Sequence, residues 1–341
     1  MTDRAALAQA FLDTTDWRGG TRTLLAGDAS NRRYDRVHHP ETGQTAVLMD
    51  ADPAKGEDVR PFVTIARHLT AQGLSAPRIW AEDPAQGFLL IEDLGDALFA
   101  RVVIAEPALE QTLYRAATDV LTTLHAAPLP SGLKPYDPAL MTQLAGLAHD
   151  WYLRGTSGPD DRAKQAFCAA FEPLLNQVTD PADVLIQRDY HAENLLWLPD
   201  RAGVARVGLL DFQDAMLGHR AYDLVSLLQD ARRDVPPVIE SQMVARFVSE
   251  NDLDPTAFDV AYAALGAQRN MRILGVFARL SLRDGKTHYI DLIPRVWDYL
   301  IRDLDHPALS DIRALVLDAL PEPDATLLQG LKDQCGTIPK Q

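Results

Sequence analysis

Residues 187–198 read QRDYHAENLLWL and place an aspartate and an asparagine directly ahead of a short apolar run. Residues 207–218, VGLLDFQDAMLG, follow the turn sequence PDRAG and carry an aspartate where their own apolar run ends. Short apolar runs bounded by turn residues predict two strands, at residues 194–198 and 207–210. By itself Asp189 would fit an ordinary turn, but its conjunction with Asn194 and Asp211 favours three converging oxygen ligands.

The apolar pattern changes character near residues 88–96, FLLIEDLGD. Before this point, residues 21–52 predict a three-stranded antiparallel meander, and residues 77–80 and 87–92 predict two more strands. After it, apolar residues recur every three or four positions in seven stretches up to residue 304, which predicts helices. The sequence therefore predicts an α+β, two-lobed fold. A small N-terminal lobe with an antiparallel sheet is expected at residues 1–92, and a larger, mainly helical lobe at residues 93–341.

The composition argues against several classes of partner. With 33 Lys and Arg against 48 Asp and Glu, the formal charge is -15, which disfavours binding to nucleic acid or to anionic membranes. No stretch approaches the roughly 18 apolar residues of a membrane span, and no signal peptide is evident. Cys168 and Cys335 form no CxxC pair and no disulfide framework. We expect a cytoplasmic protein with a small-molecule substrate and no obligate protein partner.

The spacing of Asp189, Asn194 and Asp211 resembles the catalytic and metal-binding segments of the aminoglycoside phosphotransferase and choline kinase-like family, which has a protein-kinase-like fold. The predicted order of the lobes agrees with it. The resemblance implies that Asp189 is the catalytic residue that orients the attacking hydroxyl or accepts its proton. It also implies that Asn194 and Asp211 hold Mg²⁺ on the phosphates of ATP. Oxygen side chains are the ligands that Mg²⁺ requires.

The segments expected to bind ATP depart from the family pattern. Residues 25–37, LAGDASNRRYDRV, stand where the family has a glycine-rich hairpin but contain one glycine. Where the family presents a lysine on the third strand, this chain has Met49 and Asp50; Arg33 or Lys55 could compensate, or metal and backbone could suffice. A glutamine, Gln187, also stands where the family usually has histidine, which we expect to affect stability more than chemistry. The expected ATP contacts are Gly27, Ser30, Asn31 and Arg33, with Arg32 nearby, and the backbone around Glu92 and Leu94.

Further segments, among them QRDYHAENLLW and QRNMRILGVFARLSLRDGK, resemble a bacterial subgroup of this family. Its members are anomeric kinases of N-acetylmuramate and N-acetylglucosamine in cell-wall recycling, and the resemblance covers most of residues 20–300. Arg269 and Arg272 share one face of a predicted helix, where they either line the acceptor pocket or pair with acidic helices. His191 and Asp214 are the other candidate substrate contacts.

Two rival functions stay open at this point. One is a phosphotransferase for another acceptor, such as an aminoglycoside, choline or an amino-acid hydroxyl. Arginines in the cleft would repel a polycationic aminoglycoside, and choline would need an aromatic or acidic cage. The other rival is a nucleotide-binding pseudokinase without catalysis. Against it, the three positions expected to provide the base and the Mg²⁺ ligands are intact.

Overall fold

The computed structural model describes residues 4–27 and 32–339. The strands in those residues are β1 (Thr21–Gly27), β2 (Arg32–His38), β3 (Thr45–Ala51), β4 (Ile79–Asp83), β5 (Phe88–Glu92), β6 (Val184–Ile186), β7 (Leu195–Trp197), β8 (Val207–Leu209) and β9 (Met216–Gly218). The helices are α1 (Arg4–Leu12), α2 (Arg60–Ala71), α3 (Phe99–Ala105), α4 (Glu110–Ala126), α5 (Pro138–Ala145), α6 (Arg154–Thr156), α7 (Asp161–Val178), α8 (Ala221–Leu228), α9 (Pro237–Glu250), α10 (Pro255–Leu282), α11 (Ile293–Leu304), α12 (Ser310–Ala319) and α13 (Ala325–Asp333). The α+β class predicted from the sequence is confirmed.

By packing, the chain forms two compact units. The first comprises Met1–Gly132 and Ala192–Ala215, and the second comprises Leu133–His191 and Met216–Gln341. The predicted division into a nucleotide-binding lobe (1–92) and a catalytic, substrate-binding lobe (93–341) stays a prediction, because the compact units are defined by packing and not by function. The chain leaves the second unit for the first within the stretch that follows β6.

The first unit contains a five-stranded antiparallel sheet in the order β1-β2-β3-β5-β4. The predicted meander is confirmed, and β2 pairs with β3 without interruption from Arg32↔Ala51 to His38↔Thr45. Because alternate residues of a strand point to opposite sides, β2 and β3 have two distinct faces. We call one the α1 face (Arg33, Asp35, Val37, Ala46, Leu48, Asp50) and the other the Met49 face (Arg32, Tyr34, Arg36, Val47, Met49, Ala51). Ala8 and Phe11 of α1 pack with Val37, Ala46 and Leu48, so α1 covers the first of these faces.

Strands β7 and β8 form a hairpin within the same unit, in the register Leu195↔Leu209 to Trp197↔Val207. Backbone hydrogen bonds tie it to the rest of the unit: the N–H of Leu209 donates to the carbonyl of Ser75 at 2.9 Å. Just past β8, the ring of Phe212 lies 4.9 Å from that of Phe62 in α2. The hairpin is therefore fixed against the first turn of α2.

Helix α10 is the centre of the second unit. Asp254 caps its N-terminus by accepting a hydrogen bond from the N–H of Ala257, and Pro255 occupies the first turn, where a missing N–H costs nothing. All residues from 261 to 271 are buried, so this helix is surrounded on every side. Gly266 is needed because the carboxylate of Asp303 in α11 occupies the space that a side chain would take.

One predicted helix differs from the structure. The pattern over residues 140–153 predicts a continuous helix, but α5 ends at Ala145 and a π-helical turn follows at Ala148–Leu153. The break lies where Gly275 of α10 meets the backbone of Leu147 so closely that a side chain would have no room. Close helix packing, which the local pattern does not reveal, interrupts the helix.

The cysteines and the helix lengths can be compared with what the composition predicts. Cys168 and Cys335 are free and half-buried. Among the helices of residues 4–27 and 32–339, none has both the length and the apolar character needed to cross a membrane.

Candidate active site

The backbone ahead of Asp189 is held by a buried carboxylate from α8. Asp223 accepts hydrogen bonds from the N–H of Gln187 at 2.6 Å and from the N–H of Arg188 at 2.9 Å. Arg188 has a φ of 73°, a left-handed conformation that is an outlier for a bulky side chain. Asp223 is therefore a brace for this turn. It is not the N-cap of α8, a position taken by Arg220.

The protonation of Asp223 reflects two opposing effects. Burial raises the pKa of this carboxyl to about 7, and the nearby charge of Asp189 acts in the same direction. The two backbone N–H donors and Arg269 lower the pKa, because each stabilises the carboxylate anion. The hydrogen bonds thus favour the ionised form, which alone can accept from both donors with both oxygens.

Asp189 shares its surroundings with two arginines of α10. Arg269 is only 4% exposed, and its Nη1 donates to the carbonyl of Gln229 at 3.3 Å. Burial lowers the pKa of Arg269, while Tyr222 and Asp189 act to raise it. Burial also opposes the charge of Arg272, but Tyr222, Tyr136 and Asp189 outweigh it and raise the pKa of that guanidinium. The second unit thus brings together three of the residues singled out in the sequence: Asp189, Arg269 and Arg272.

A pair of buried tyrosines, which the sequence analysis did not predict, belongs to the same polar cluster. The rings of Tyr136 and Tyr222 meet edge to face with their centroids 4.9 Å apart. Arg272 Nη1 donates to the hydroxyl of Tyr222 at 3.2 Å, and Gln268 Nε2 donates to that of Tyr136 at 3.2 Å. The guanidinium carbon of Arg188 lies 5.6 Å from the centre of the Tyr136 ring. Tyr222 adjoins Asp223 in sequence, but nothing local distinguishes Tyr136 from a core residue.

His191 lies in the same unit and is buried, with 5% of its surface exposed. Burial lowers its pKa to about 4; Asp230 opposes this effect, whereas Arg232 and Arg269 add to it. Its Nε2 lies 3.4 Å from Nη1 of Arg232. At neutral pH the imidazole is therefore uncharged, so any contact it makes with a substrate would be through a neutral ring.

Asn194 and Asp211 lie in the first unit, at one end of the β7–β8 hairpin. The carbonyl of Asn194 accepts a hydrogen bond from the N–H of Leu210 at 3.0 Å, which places the two chain ends side by side. Asp211 is exposed, and Gln213 Nε2 donates to its Oδ1 at 2.7 Å. Asp214 is also exposed and lies further along the turn. The hairpin therefore brings the two predicted metal ligands together.

The donor chemistry of this pair suits Mg²⁺. Within the described residues, no group of three or more His, Cys, Asp or Glu side chains could enclose a metal ion. Mg²⁺ does not need such a cage, because it commonly binds through one or two protein oxygens together with water and substrate phosphates. An amide oxygen and an exposed carboxylate at one hairpin end fit that pattern.

Backbone strain is concentrated near the candidate residues. Among the described residues, three other than glycine have a positive φ: Arg188, Asp211 (57°) and Asp252. Two of the three lie at or beside a residue singled out in the sequence. Such conformations cost about 1–3 kcal/mol each and cluster at functional sites.

The predicted nucleotide contacts are more scattered. Gly27 ends β1 opposite Arg33, whereas Ser30 and Asn31 lie outside the described residues. Arg33 is exposed on the α1 face, and its Nε donates to Asp35 at 3.0 Å. The carboxylate of Glu92 accepts from Arg201 at 2.7 Å. Leu94, just beyond β5, is buried.

An antiparallel five-stranded sheet, a mainly helical remainder and an Asp loop followed by an Asn/Asp hairpin define the kinase-like class of phosphotransferases. The chain matches the phosphotransferase enzyme family over residues 21–265 and belongs to that family.

Comparisons with individual proteins agree. An N-acetylmuramate/N-acetylglucosamine kinase of Caulobacter vibrioides is 41% identical, over 92% of this chain and 96% of the relative. A protein of the same name from Pseudomonas putida is 31% identical, over 88% of each chain. Among solved structures, the ADP-bound aminoglycoside phosphotransferase APH(2″)-Ib superposes with a TM-score of 0.58 at 13% identity, over 91% of this chain and 99% of that one. The enzyme class and the fold predicted from the sequence are confirmed.

Proposed function

We propose that this phosphotransferase uses ATP and Mg²⁺ to phosphorylate the anomeric hydroxyl of N-acetylmuramate or N-acetylglucosamine. The observation that carries the proposal is the position of two α10 arginines in the unit that contains Asp189. Arg269 is buried, and Arg272 donates to Tyr222, whose neighbour Asp223 holds the backbone ahead of Asp189. The charge of Asp189 acts on both guanidinium groups. The 41% identical relative, whose name is that of a kinase for these two sugars, supports the same acceptor.

In this proposal Asp189 orients the sugar hydroxyl and accepts its proton on a carboxylate oxygen. The hydroxyl oxygen bonds to the γ-phosphorus of ATP as the bond from that phosphorus to the bridging oxygen breaks and ADP leaves. An anomeric hydroxyl is more acidic than an ordinary alcohol, so its deprotonation demands less of the base. The brace from Asp223 supports this role, because it holds the backbone directly ahead of Asp189 in one conformation. A fixed base lowers the entropic cost of aligning the hydroxyl in line with the phosphorus.

Asn194 and Asp211 are the residues that would hold Mg²⁺. When bound, the ion would neutralise charge on the phosphates of the nucleotide. The family resemblance supports this role for the two residues.

The arginines favour an acceptor that carries negative charge. N-acetylmuramate has a lactyl carboxylate, which a guanidinium can bind in a bidentate manner, and the transferred phosphate is also anionic. A polycationic aminoglycoside would meet repulsion from Arg269 and Arg272. Among the acceptors considered, the amino sugars therefore fit this part of the second unit best.

The test is ADP release by the purified protein with ATP, Mg²⁺ and one acceptor at a time: N-acetylmuramate, N-acetylglucosamine, kanamycin, choline or homoserine. We expect release with the two amino sugars, and a sugar 1-phosphate as the product by phosphorus NMR. ADP release with kanamycin, choline or homoserine, and none with the amino sugars, would show that the proposed acceptor is wrong. ATP binding with no release for any acceptor would favour a nucleotide-binding protein without catalysis.

We also propose a cytoplasmic location, without nucleic-acid or obligate protein partners. The free thiols of Cys168 and Cys335 and the net charge of -15 support this part of the proposal.

A further inference from the structure

The third strand lacks the lysine that the family resemblance leads one to expect. The structure shows on which face of the sheet the two residues at that place, Met49 and Asp50, lie. Met49 lies on the Met49 face and is only 1% exposed, whereas Asp50 lies on the α1 face and pairs with Arg4 of α1. Neither residue carries positive charge. A cation that contacts the nucleotide phosphates would therefore come from another residue.

The structure places both compensating residues suggested by the sequence on the α1 face. Arg33 pairs across the sheet with Asp50, so its side chain is on the α1 face. A cavity of about 230 Å³ beside α1 is lined by both Arg33 and Lys55. The two candidates thus lie together on the side of the sheet that α1 covers.

Arg32 is on the opposite side. It pairs with Ala51 across β2 and β3, and its side chain shares the Met49 face with Met49. Arg32 Nε lies 2.7 Å from a carboxylate oxygen of Glu57, and each side chain is only 15% exposed. Burial alone would lower the pKa of Arg32, but Glu57 and Tyr34 outweigh it, so the charge is stabilised.

The chain connects this ion pair to the hairpin that carries Asp211. Glu57 lies three residues ahead of Arg60, the first residue of α2. Phe62, in the first turn of that helix, packs its ring against Phe212, the neighbour of Asp211. The same helix end therefore supports both the Arg32–Glu57 pair and the candidate metal ligand.

We infer that Arg32, oriented by Glu57, contacts the nucleotide phosphates in place of the lysine that the third strand lacks. This inference rests on the proposed use of ATP. A guanidinium suits the role because its planar array of N–H donors matches phosphate oxygens, and Glu57 restricts its rotation through Nε. In this inference Arg32 supplies the missing positive charge from β2, the strand next to β3, on the same face as Met49.

The test measures the dissociation constants of ATP–Mg²⁺ and of adenosine by titration calorimetry, without acceptor. Adenosine lacks phosphates, so the ratio of the two constants isolates the phosphate contact from general damage to the site. In Arg32→Met we expect ATP binding to weaken by about 30-fold, the loss typical of a charge-assisted hydrogen bond, with adenosine binding within about twofold. Arg67→Met, an exposed arginine of α2 paired with Glu82, is the matched control and should bind both ligands normally.

Two further variants make the result decisive. Glu57→Gln keeps the arginine but removes its partner, and we expect ATP binding to weaken by about fivefold; this variant also serves if Arg32→Met does not fold. Unchanged ATP affinity in Arg32→Met or in Glu57→Gln would overturn the inference, and so would a loss found in Arg33→Met instead. Wild-type protein that binds no ATP would overturn the proposed function itself, a result distinct from loss confined to one variant.

Discussion

The carboxylate of Asp223 holds the backbone of Arg188 in a left-handed conformation. Its Oδ1 accepts from the N–H of Arg188 at 2.9 Å, and the φ of that residue is 73°. Since Arg188 directly precedes Asp189, the direction in which the candidate base leaves the backbone depends on a residue of α8 that is far away in sequence. Strain at one residue is thus offset by hydrogen bonds to a buried carboxyl group.

Replacing Asp223 by alanine should destabilise the protein and impair turnover. The change leaves the N–H groups of Gln187 and Arg188 without an acceptor, at a cost of about 1–3 kcal/mol for each. Urea denaturation should show a free energy of unfolding lower by about 3 kcal/mol, and ADP release should slow. Asp318→Ala, at an exposed position of α12, is the matched control. A Asp223→Ala variant as stable as that control would refute the brace.

The substitution Asp189→Asn should abolish most of the turnover and leave nucleotide binding intact. An amide cannot accept the hydroxyl proton as a carboxylate does, so kcat should fall by about 10²–10⁴-fold. The measurement pairs steady-state ADP release with ATP titration of the same sample. Normal kcat in a correctly folded variant would remove Asp189 from the catalytic role.

Asp211→Asn should raise the Mg²⁺ concentration needed for activity. The change removes a negative charge from the candidate metal ligand, and we expect a 10–100-fold weaker apparent affinity, about the range for disturbed metal sites. Asparagine tolerates the left-handed conformation, so little backbone strain is added. The check is ADP release across a Mg²⁺ series after treatment with EDTA.

The control for that experiment is Asp252→Asn. Asp252 also has a positive φ, at 51°, but lies after α9, outside the candidate site. Equal Mg²⁺ dependence in the Asp211 and Asp252 variants would show that Asp211 does not bind the ion.

Arg272→Met should discriminate between the two amino sugars. If the guanidinium faces the lactyl carboxylate, KM for N-acetylmuramate should rise by about tenfold more than KM for N-acetylglucosamine, which has no carboxylate. Arg313→Met, which replaces a half-buried arginine of α12 paired with Asp305, is the control. An equal rise for both sugars would indicate that Arg272 contributes to the fold or to the transferred phosphate and not to acceptor choice.

Acidification should destabilise the protein through three buried histidines. Burial lowers the pKa values of His149, His191 and His219 to about 4, below the ordinary 6.5. The unfolded chain then binds more protons than the folded protein between these values. The stabilisation is fully present above pH 6.5 and is lost as the pH falls through about 4, at up to about 3 kcal/mol for each histidine.

Urea denaturation at pH 7.5, 6 and 5 measures this effect. His149→Gln should lose less stability on acidification than the wild type, because one titrating group is removed from the buried set. His288→Gln, at an exposed position, is the control and should follow the wild type. Parallel curves for all three proteins would contradict the assignment.

The elements themselves could largely be predicted from the sequence. Alternation at β2 and β3, and the Asp254–Pro255 start of α10, are signals carried by neighbouring residues. The spacing around Asp189 led to the correct enzyme family. By contrast, the break after α5 could not be predicted, because it depends on where Gly275 of a distant helix packs.

Arg32 and Arg33 illustrate the difference between what the local sequence determines and what only the packed structure decides. The sequence predicted the second strand only for residues 34–37, whereas β2 begins at Arg32. Once both arginines are in a strand, they must lie on opposite faces, since alternation is a local property of extended backbone. Only the tertiary structure decided which face meets α1 and which arginine pairs with Glu57, and only it joined Tyr136 to Tyr222 and Asp223 to Arg188. Burial, desolvation and ion pairing sum over residues remote in sequence, so they exist only once the chain has packed.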